Sequence, residues 1–321
     1  MINTRFKAAL RAAFLGSSAR SGPCADVLPV SLQRPEGRRD YLLALPGKPA
    51  SGKRPLVVIL HGAGASARQV LGMAFPPSPL SVWLEIAQRE QVIVAAADAG
   101  KGGWSDCFAG AARVARKDDV AFIGAIIDDA IARHGADPDR VCVIGVSRGG
   151  LMAYRVAVEI PHKLAAFSAL LACMPPRGRA AAPTVPLSAL ILACTDDPFM
   201  PYGGGKHFRT LGFLEPMMGI ADSVRVWREL AGLSDIPHVQ AIAPAAGGNG
   251  TRATRYLWGA AQGPQVALYR IDGGGHAEPS RLKRYPGIIN RLVGPQNADV
   301  ETAEAAWDFF RDKRAGSRTA S

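Results

Sequence analysis

The chain contains no apolar run near the roughly 18 residues that a membrane-spanning helix needs. Its strongest stretches, residues 56–60 and 141–144, are only of strand length. Integral membrane association is therefore not expected. Cysteine is scarce too: Cys24, Cys107, Cys142, Cys173 and Cys194 are odd in number, widely spaced and contain no Cys-x-x-Cys pair. This pattern supports neither a disulfide framework nor a zinc site, and Cys142 and Cys194 read as parts of buried strands. There is no internal repeat, no low-complexity tract and no linker long enough to separate two domains.

Acidic residues are in deficit, with 27 Asp and Glu against 38 Lys and Arg, a net charge of +11. The surplus is uneven. Residues 1–54 hold ten Lys/Arg and three Asp/Glu, and the rest of the chain is only mildly basic. This leader lacks the interleaved aromatics or recognition helix of a nucleic-acid binder, so a solvated basic extension is expected and no nucleic-acid partner. It does not read as a signal peptide either. Arg5, Lys7 and Arg11 precede Ala12-Ala13-Phe14-Leu15, but Gly16-Ser17-Ser18 ends the apolar stretch before the roughly 7–15 residues such a peptide requires. A cytoplasmic location is favoured over secretion. The expected organisation is an extension over residues 1–37, one domain over 38–315 and a tail over 316–321.

What the sequence does contain is alternation. Short apolar runs at 41–45, 56–60, 92–96, 141–144, 166–171, 189–192 and 266–271 are separated by longer amphipathic stretches. This predicts an α/β fold, a mostly parallel central sheet with helices on both faces. Residues 118–134 carry Val120, Ile123, Ile127 and Ile131 at helical spacing behind the pair Asp118-Asp119, which suits a helix N-terminus. Helices are also expected at 149–159 and 300–313, the latter with Ala303, Trp307 and Phe310 on one stripe. Residues 203–205 and 243–251 read as mobile loops, and 175–186 as a surface connection.

Gly145-Val146-Ser147-Arg148-Gly149 matches G-x-S-x-G between a β-branched run and a helical stretch. That order is the strand–elbow–helix arrangement of a nucleophilic serine. Glycines two residues either side of Ser147 avoid collisions with neighbouring backbone in a strained turn. The turn lifts Oγ clear of the sheet and points the Arg148 amide toward a developing oxyanion. His61-Gly62-Ala63-Gly64 follows the strand at 56–60 and offers the Ala63 amide as the second oxyanion donor, with His61 shaping the loop. Gly62-Ala63-Gly64-Ala65-Ser66-Ala67 also fits a dinucleotide fingerprint. That reading fails because Pro76, Pro77 and Pro79 break the required helix and no acidic residue ends a second strand about 20 residues on.

A base is expected at His276, which ends the glycine-rich loop Asp272-Gly273-Gly274-Gly275-His276 directly after a strand. The acid should follow the strand at 189–192, where Asp196 and Asp197 are adjacent, and spacing alone does not choose between them.

Several segments together resemble the polyhydroxybutyrate depolymerase-like esterases, relatives of feruloyl and acetylxylan esterases, from Leu56 to about Pro279. They are Leu60-His61-Gly62-Ala63-Gly64, Trp104-Ser105-Asp106, Asp118-Asp119-Val120-Ala121-Phe122, Asp137-Pro138-Asp139-Arg140-Val141, the Ser147 elbow, Thr195-Asp196-Asp197-Pro198 with Pro201-Tyr202, and Gly273-Gly274-Gly275-His276. The resemblance implies an α/β-hydrolase fold, hydrolysis of carboxylic esters through an acyl-enzyme, and Asp197 as the acid. It implies small-molecule or oligomeric ester substrates, hydroxyalkanoate or acyl-carbohydrate among them. This chain departs from the family at Ala193-Cys194, where His-Gly is usual, at Ala277-Glu278-Pro279, where Thr-Trp-Pro is common, and at Arg148, where small or amide side chains are usual. The lost tryptophan removes an aromatic wall that would grip a polymer or phenolic ring. Two roles suit the Arg148 side chain: attraction of anionic substrates, or a salt bridge to a nearby loop carboxylate. The chemistry needs no metal or organic cofactor, and none is implied. A catalytically silent binding scaffold, or a peptidase or acyltransferase using the same residues, are the alternatives.

Overall fold

The computed structural model describes residues 25–47, 52–108, 117–178, 180–205 and 216–316. Cys24, with the rest of residues 1–24, and the tail beyond Gly316 lie outside the described residues.

The strands run in the order β1 (Asp26–Arg34), β2 (Gly37–Leu45), β3 (Arg54–Leu60), β4 (Ile93–Ala97), β5 (Ala136–Val146), β6 (Ala166–Leu170), β7 (Ser188–Cys194), β8 (His238–Ala241), β9 (Arg252–Trp258) and β10 (Val266–Asp272). They form one ten-stranded sheet ordered β1-β2-β4-β3-β5-β6-β7-β10-β9-β8. From β4 across to β10 every pairing is parallel. The outer pairings on both sides are antiparallel. Central strands such as β6 and β7 are buried along their whole length, and so they read as continuous apolar runs rather than alternations.

Helices α1 (Ala67–Val70), α2 (Trp83–Glu90), α3 (Asp119–His134), α4 (Arg148–Glu159), α5 (Ile220–Leu230), α6 (Gly287–Val293) and α7 (Thr302–Phe310) complete the fold. On one face, residues of α3, α4 and α5, including Phe122, Tyr154 and Trp227, form a core with Phe167 of the sheet. On the other, α2 and α7 bring Trp83 against Trp307 edge-on, ring centroids 6.4 Å apart. The expected stripe of α7 is accordingly buried, with Ala303 at 0%, Trp307 at 3% and Phe310 at 2% exposure. Asp118 caps α3 by accepting from the Ala121 amide.

Two expectations need correction. The extension expected over residues 1–37 does not hold for Asp26–Arg34, which is strand β1, paired along its length with β2. Residues 243–251, read as a mobile loop, are tied down: the Ala245 amide donates to Asp299 Oδ1 and the Asn249 side-chain amide donates to the Gln296 carbonyl. At the other end the domain continues past α7, where the Ala315 amide donates to the Asp139 carbonyl at 2.8 Å.

Candidate active site

The chain leaves β5 and turns into α4 at Ser147, whose φ of 55° and ψ of −118° lie where non-glycine residues are rarely found. The neighbouring glycines are a steric necessity. A Cβ on Gly145 would fall 2.0 Å from the Gly149 carbonyl oxygen, and one on Gly149 would fall 2.1 Å from the Leu60 carbonyl oxygen. The Ser147 amide donates to the Leu170 carbonyl at 2.8 Å, which anchors the turn to β6.

Ser147, His276 and Asp197 come together from three separate loops. Ser147 Oγ lies 2.8 Å from His276 Nε2, and His276 Nδ1 lies 2.6 Å from Asp197 Oδ2. With the proton on Nδ1 donated to the carboxylate, Nε2 accepts from the serine hydroxyl. Asp197 is 5% exposed, and its other oxygen accepts from the Phe199 and Met200 amides at 2.8 and 2.9 Å. Asp196 points elsewhere and accepts from the Thr195 hydroxyl. Phe199, which no motif singles out, packs its ring edge-on to His276 at 5.1 Å.

The loop after β3 carries Gly62 and Ala63 beside Ser147. His61 holds this loop in shape and does not reach the serine. Its Nδ1 donates to the Gly62 carbonyl, and its Nε2 accepts from the Ala99 amide at 3.0 Å. Burial pushes its pKa down, and a neutral ring is what that pair of contacts requires. Trp104 Nε1 donates to the His61 carbonyl at 2.8 Å and fixes the loop from the other side. Arg148 opens α4, so its amide has no acceptor within the helix and stands at the positive end of the helix dipole. Its guanidinium lies 2.6 Å from the fully buried carboxylate of Asp106. Of the two roles open to that side chain, the structure shows the salt bridge. The motif residue between Trp104 and Asp106 is engaged as well, since the Ser105 amide and hydroxyl both donate to Asp119, at 2.6 and 3.0 Å.

A cavity of about 480 Å³ opens beside Ser147, walled by Ala63, Arg148 and His276 and by apolar Val146, Leu171 and Met200. A further part of its wall could not be anticipated from spacing. There Glu278, in place of the family's tryptophan, accepts from the Ser78 hydroxyl at 3.0 Å and the Tyr285 hydroxyl at 2.9 Å. Burial and the Glu278 charge together push the Tyr285 phenol up, so it stays a donor. Ile289 and Val293, one turn apart on α6, finish that wall. Among the described residues no group of three His, Cys, Asp or Glu side chains is placed to hold a metal ion, and no helix is long and apolar enough to cross a membrane.

A family model for phospholipases and carboxylesterases matches residues 47–215. "Putative esterase NocK" of Nocardia uniformis subsp. tsuyamanensis is 29% identical over 297 residues, which are 85% of this chain and 79% of that protein. Among solved structures, acetyl xylan esterase from Aspergillus awamori matches with a TM-score of 0.58 at 14% identity, over 89% of this chain and 99% of that one. A thermostable esterase matches with a TM-score of 0.51 at 14% identity, over 90% of this chain. The present chain spans 63% of that structure's length. At such identities these structures speak for the fold, which is that of the α/β-hydrolases.

Proposed function

The chain belongs to the phospholipase/carboxylesterase family and is a carboxylic ester hydrolase, and from that premise we propose that Ser147, His276 and Asp197 are its catalytic residues. The reading rests on one observation above all. The hydrogen-bonded sequence Ser147 Oγ, His276, Asp197 opens onto the cavity that Ala63 and Arg148 also line.

In this mechanism His276 Nε2 takes the Ser147 proton as Oγ attacks the ester carbonyl. The negative charge that forms on the carbonyl oxygen is held by the backbone amides of Ala63 and Arg148. Collapse of the tetrahedral intermediate expels the alcohol, to which His276 returns the proton, and leaves the acyl group on Ser147. A water deprotonated by His276 then attacks this ester, releasing the acid and restoring the serine. Asp197 orients the imidazole and offsets the imidazolium charge while it lasts. A cavity of about 480 Å³ is large enough for a small ester or the end of a short oligomer. Esters of short hydroxyalkanoates and acylated sugars are therefore the first substrate classes to examine.

Purified protein incubated with p-nitrophenyl acetate and butyrate, beside a Ser147→Ala variant, tests the assignment. Release of nitrophenolate that falls by about 10³-fold or more in the variant is expected. No turnover by the wild type, together with no labelling of Ser147 by a fluorophosphonate, would leave a catalytically silent scaffold as the better account.

A further inference from the structure

Four ionisable side chains besides the serine line the cavity: Arg148, His276, Glu278 and Tyr285. Arg148 is matched by Asp106 and His276 by Asp197, each at 2.6 Å. Tyr285 is a neutral phenol. Glu278 is left over. It is 5% exposed, and its two oxygens accept from the uncharged hydroxyls of Ser78 and Tyr285. Among the described residues no cation forms an ion pair with it. Each carboxylate oxygen has two lone pairs, so each keeps room for one more donor after these bonds. A buried carboxylate without a counter-charge is costly, and whatever supplies positive charge there recovers part of that cost.

We propose that Glu278 determines specificity, selecting esters that carry an ammonium group on the part of the substrate that lies against Glu278. This rests on the reading of Ser147 as the nucleophile of the same cavity. An ammonium suits the position better than a hydroxyl because it brings both the missing charge and several donors, enough for one on each oxygen of Glu278. The apolar wall of Val146, Leu171 and Met200 accommodates the alkyl part of such a substrate. The charge preference is opposite to the one Arg148 suggests from sequence, because Asp106 already neutralises that guanidinium.

The test uses n-hexylammonium chloride and its uncharged counterpart 1-hexanol at neutral pH, binding measured by calorimetry and competition by inhibition of p-nitrophenyl acetate hydrolysis. The wild type is expected to bind the ammonium about tenfold more tightly than the alcohol, competitively with the ester. Glu278→Gln should bring the two to within about twofold of each other, whereas Tyr285→Phe, which leaves the carboxylate in place, should retain the preference. Should Glu278→Gln fail to fold, the wild-type ratio and Tyr285→Phe still decide. Equal binding by the wild type, non-competitive inhibition, or a preference that survives in folded Glu278→Gln overturns the proposal. Absence of ester hydrolysis by the wild type counts against Ser147 instead, and calorimetry then reads Glu278 on its own.

Discussion

Arg148 holds Asp106 across 2.6 Å, joining the residue after the elbow serine to a loop carboxylate that is wholly buried. One residue thus does two things: it lines the cavity beside Ser147 while its guanidinium neutralises a carboxylate of the loop that also carries Trp104, the brace of His61. Arg148→Ala strands a buried charge, and loss of one partner of such a pair typically costs about 3–5 kcal/mol. We expect urea denaturation to show a loss of that order, and Arg148→Ala combined with Asp106→Asn to be more stable than Arg148→Ala alone. Selectivity between neutral and carboxylate-bearing esters should be the same in wild type and Arg148→Ala. A shift toward neutral esters in the variant would restore the anion-binding role.

Asp196 and Asp197 are neighbours with opposite surroundings. Asp197 is buried and engaged by His276 and two backbone amides, while Asp196 is exposed and, among the described side chains, bonds only to Thr195. Asp197→Asn should lower kcat by roughly 10⁴-fold, because an amide cannot hold the imidazole in the required tautomer. Asp196→Asn should stay within about twofold of wild type, as exposed single substitutions usually do. The reverse ranking in p-nitrophenyl butyrate hydrolysis would reassign the acid.

These contrasts show which parts of the site a sequence can reveal. Ser147 and His276 are legible because each stands where an apolar run ends in glycines, a pattern imposed by backbone crowding. The central strands are legible for a related reason: burial on both faces forces uninterrupted apolar runs. Strand β8 is exposed along its whole length and β9 is mostly half-buried, so neither shows a run or a strict alternation. Strand β1 lies at the opposite edge, where Leu28 is 46% exposed and Pro29 interrupts the apolar pattern. The part of the cavity wall around Glu278 is hidden because Ser78, Glu278 and Tyr285 meet only through tertiary contacts, one of them spanning 200 residues of chain. A departure from the family's pattern at Glu278 was the one visible sign of it.

The elbow glycines permit a graded test. Gly149→Ala drives a Cβ to 2.1 Å from the Leu60 carbonyl oxygen and 2.6 Å from that of His61, and both are backbone atoms that cannot swing aside. At Gly178 the φ is +84° but nothing lies within 4 Å of the added carbon. Gly178→Ala should therefore cost about 1 kcal/mol, the strain of the left-handed conformation alone. Gly149→Ala should cost several times that and displace the oxyanion loop. Thermal melting of the two variants checks the ranking, and a Gly149→Ala protein as stable and active as Gly178→Ala would contradict the elbow geometry.

His61 gives the protein a pH-dependent component of stability with a definite sign. The residue is 4% exposed, burial lowers its pKa from 6.5, and Nε2 must stay unprotonated to accept from Ala99. Below 6.5 the unfolded chain takes up a proton at this residue that the native state resists. The contribution of His61 is therefore fully present above that pH and declines as pH falls through it toward the lower native value, by at most about 1.4 kcal/mol per pH unit for a single proton. In His61→Gln this component vanishes while every other titrating group remains. Unfolding free energies from urea titrations between pH 7.5 and about 5 should fall more steeply with acidification for wild type than for His61→Gln. The variant should also be less stable at pH 7.5, by roughly 1–3 kcal/mol, because the Ala99 amide loses its imidazole acceptor. Parallel pH curves would mean that His61 is as readily protonated in the native protein as in the unfolded chain, and the neutral-ring account of the loop would fall with them.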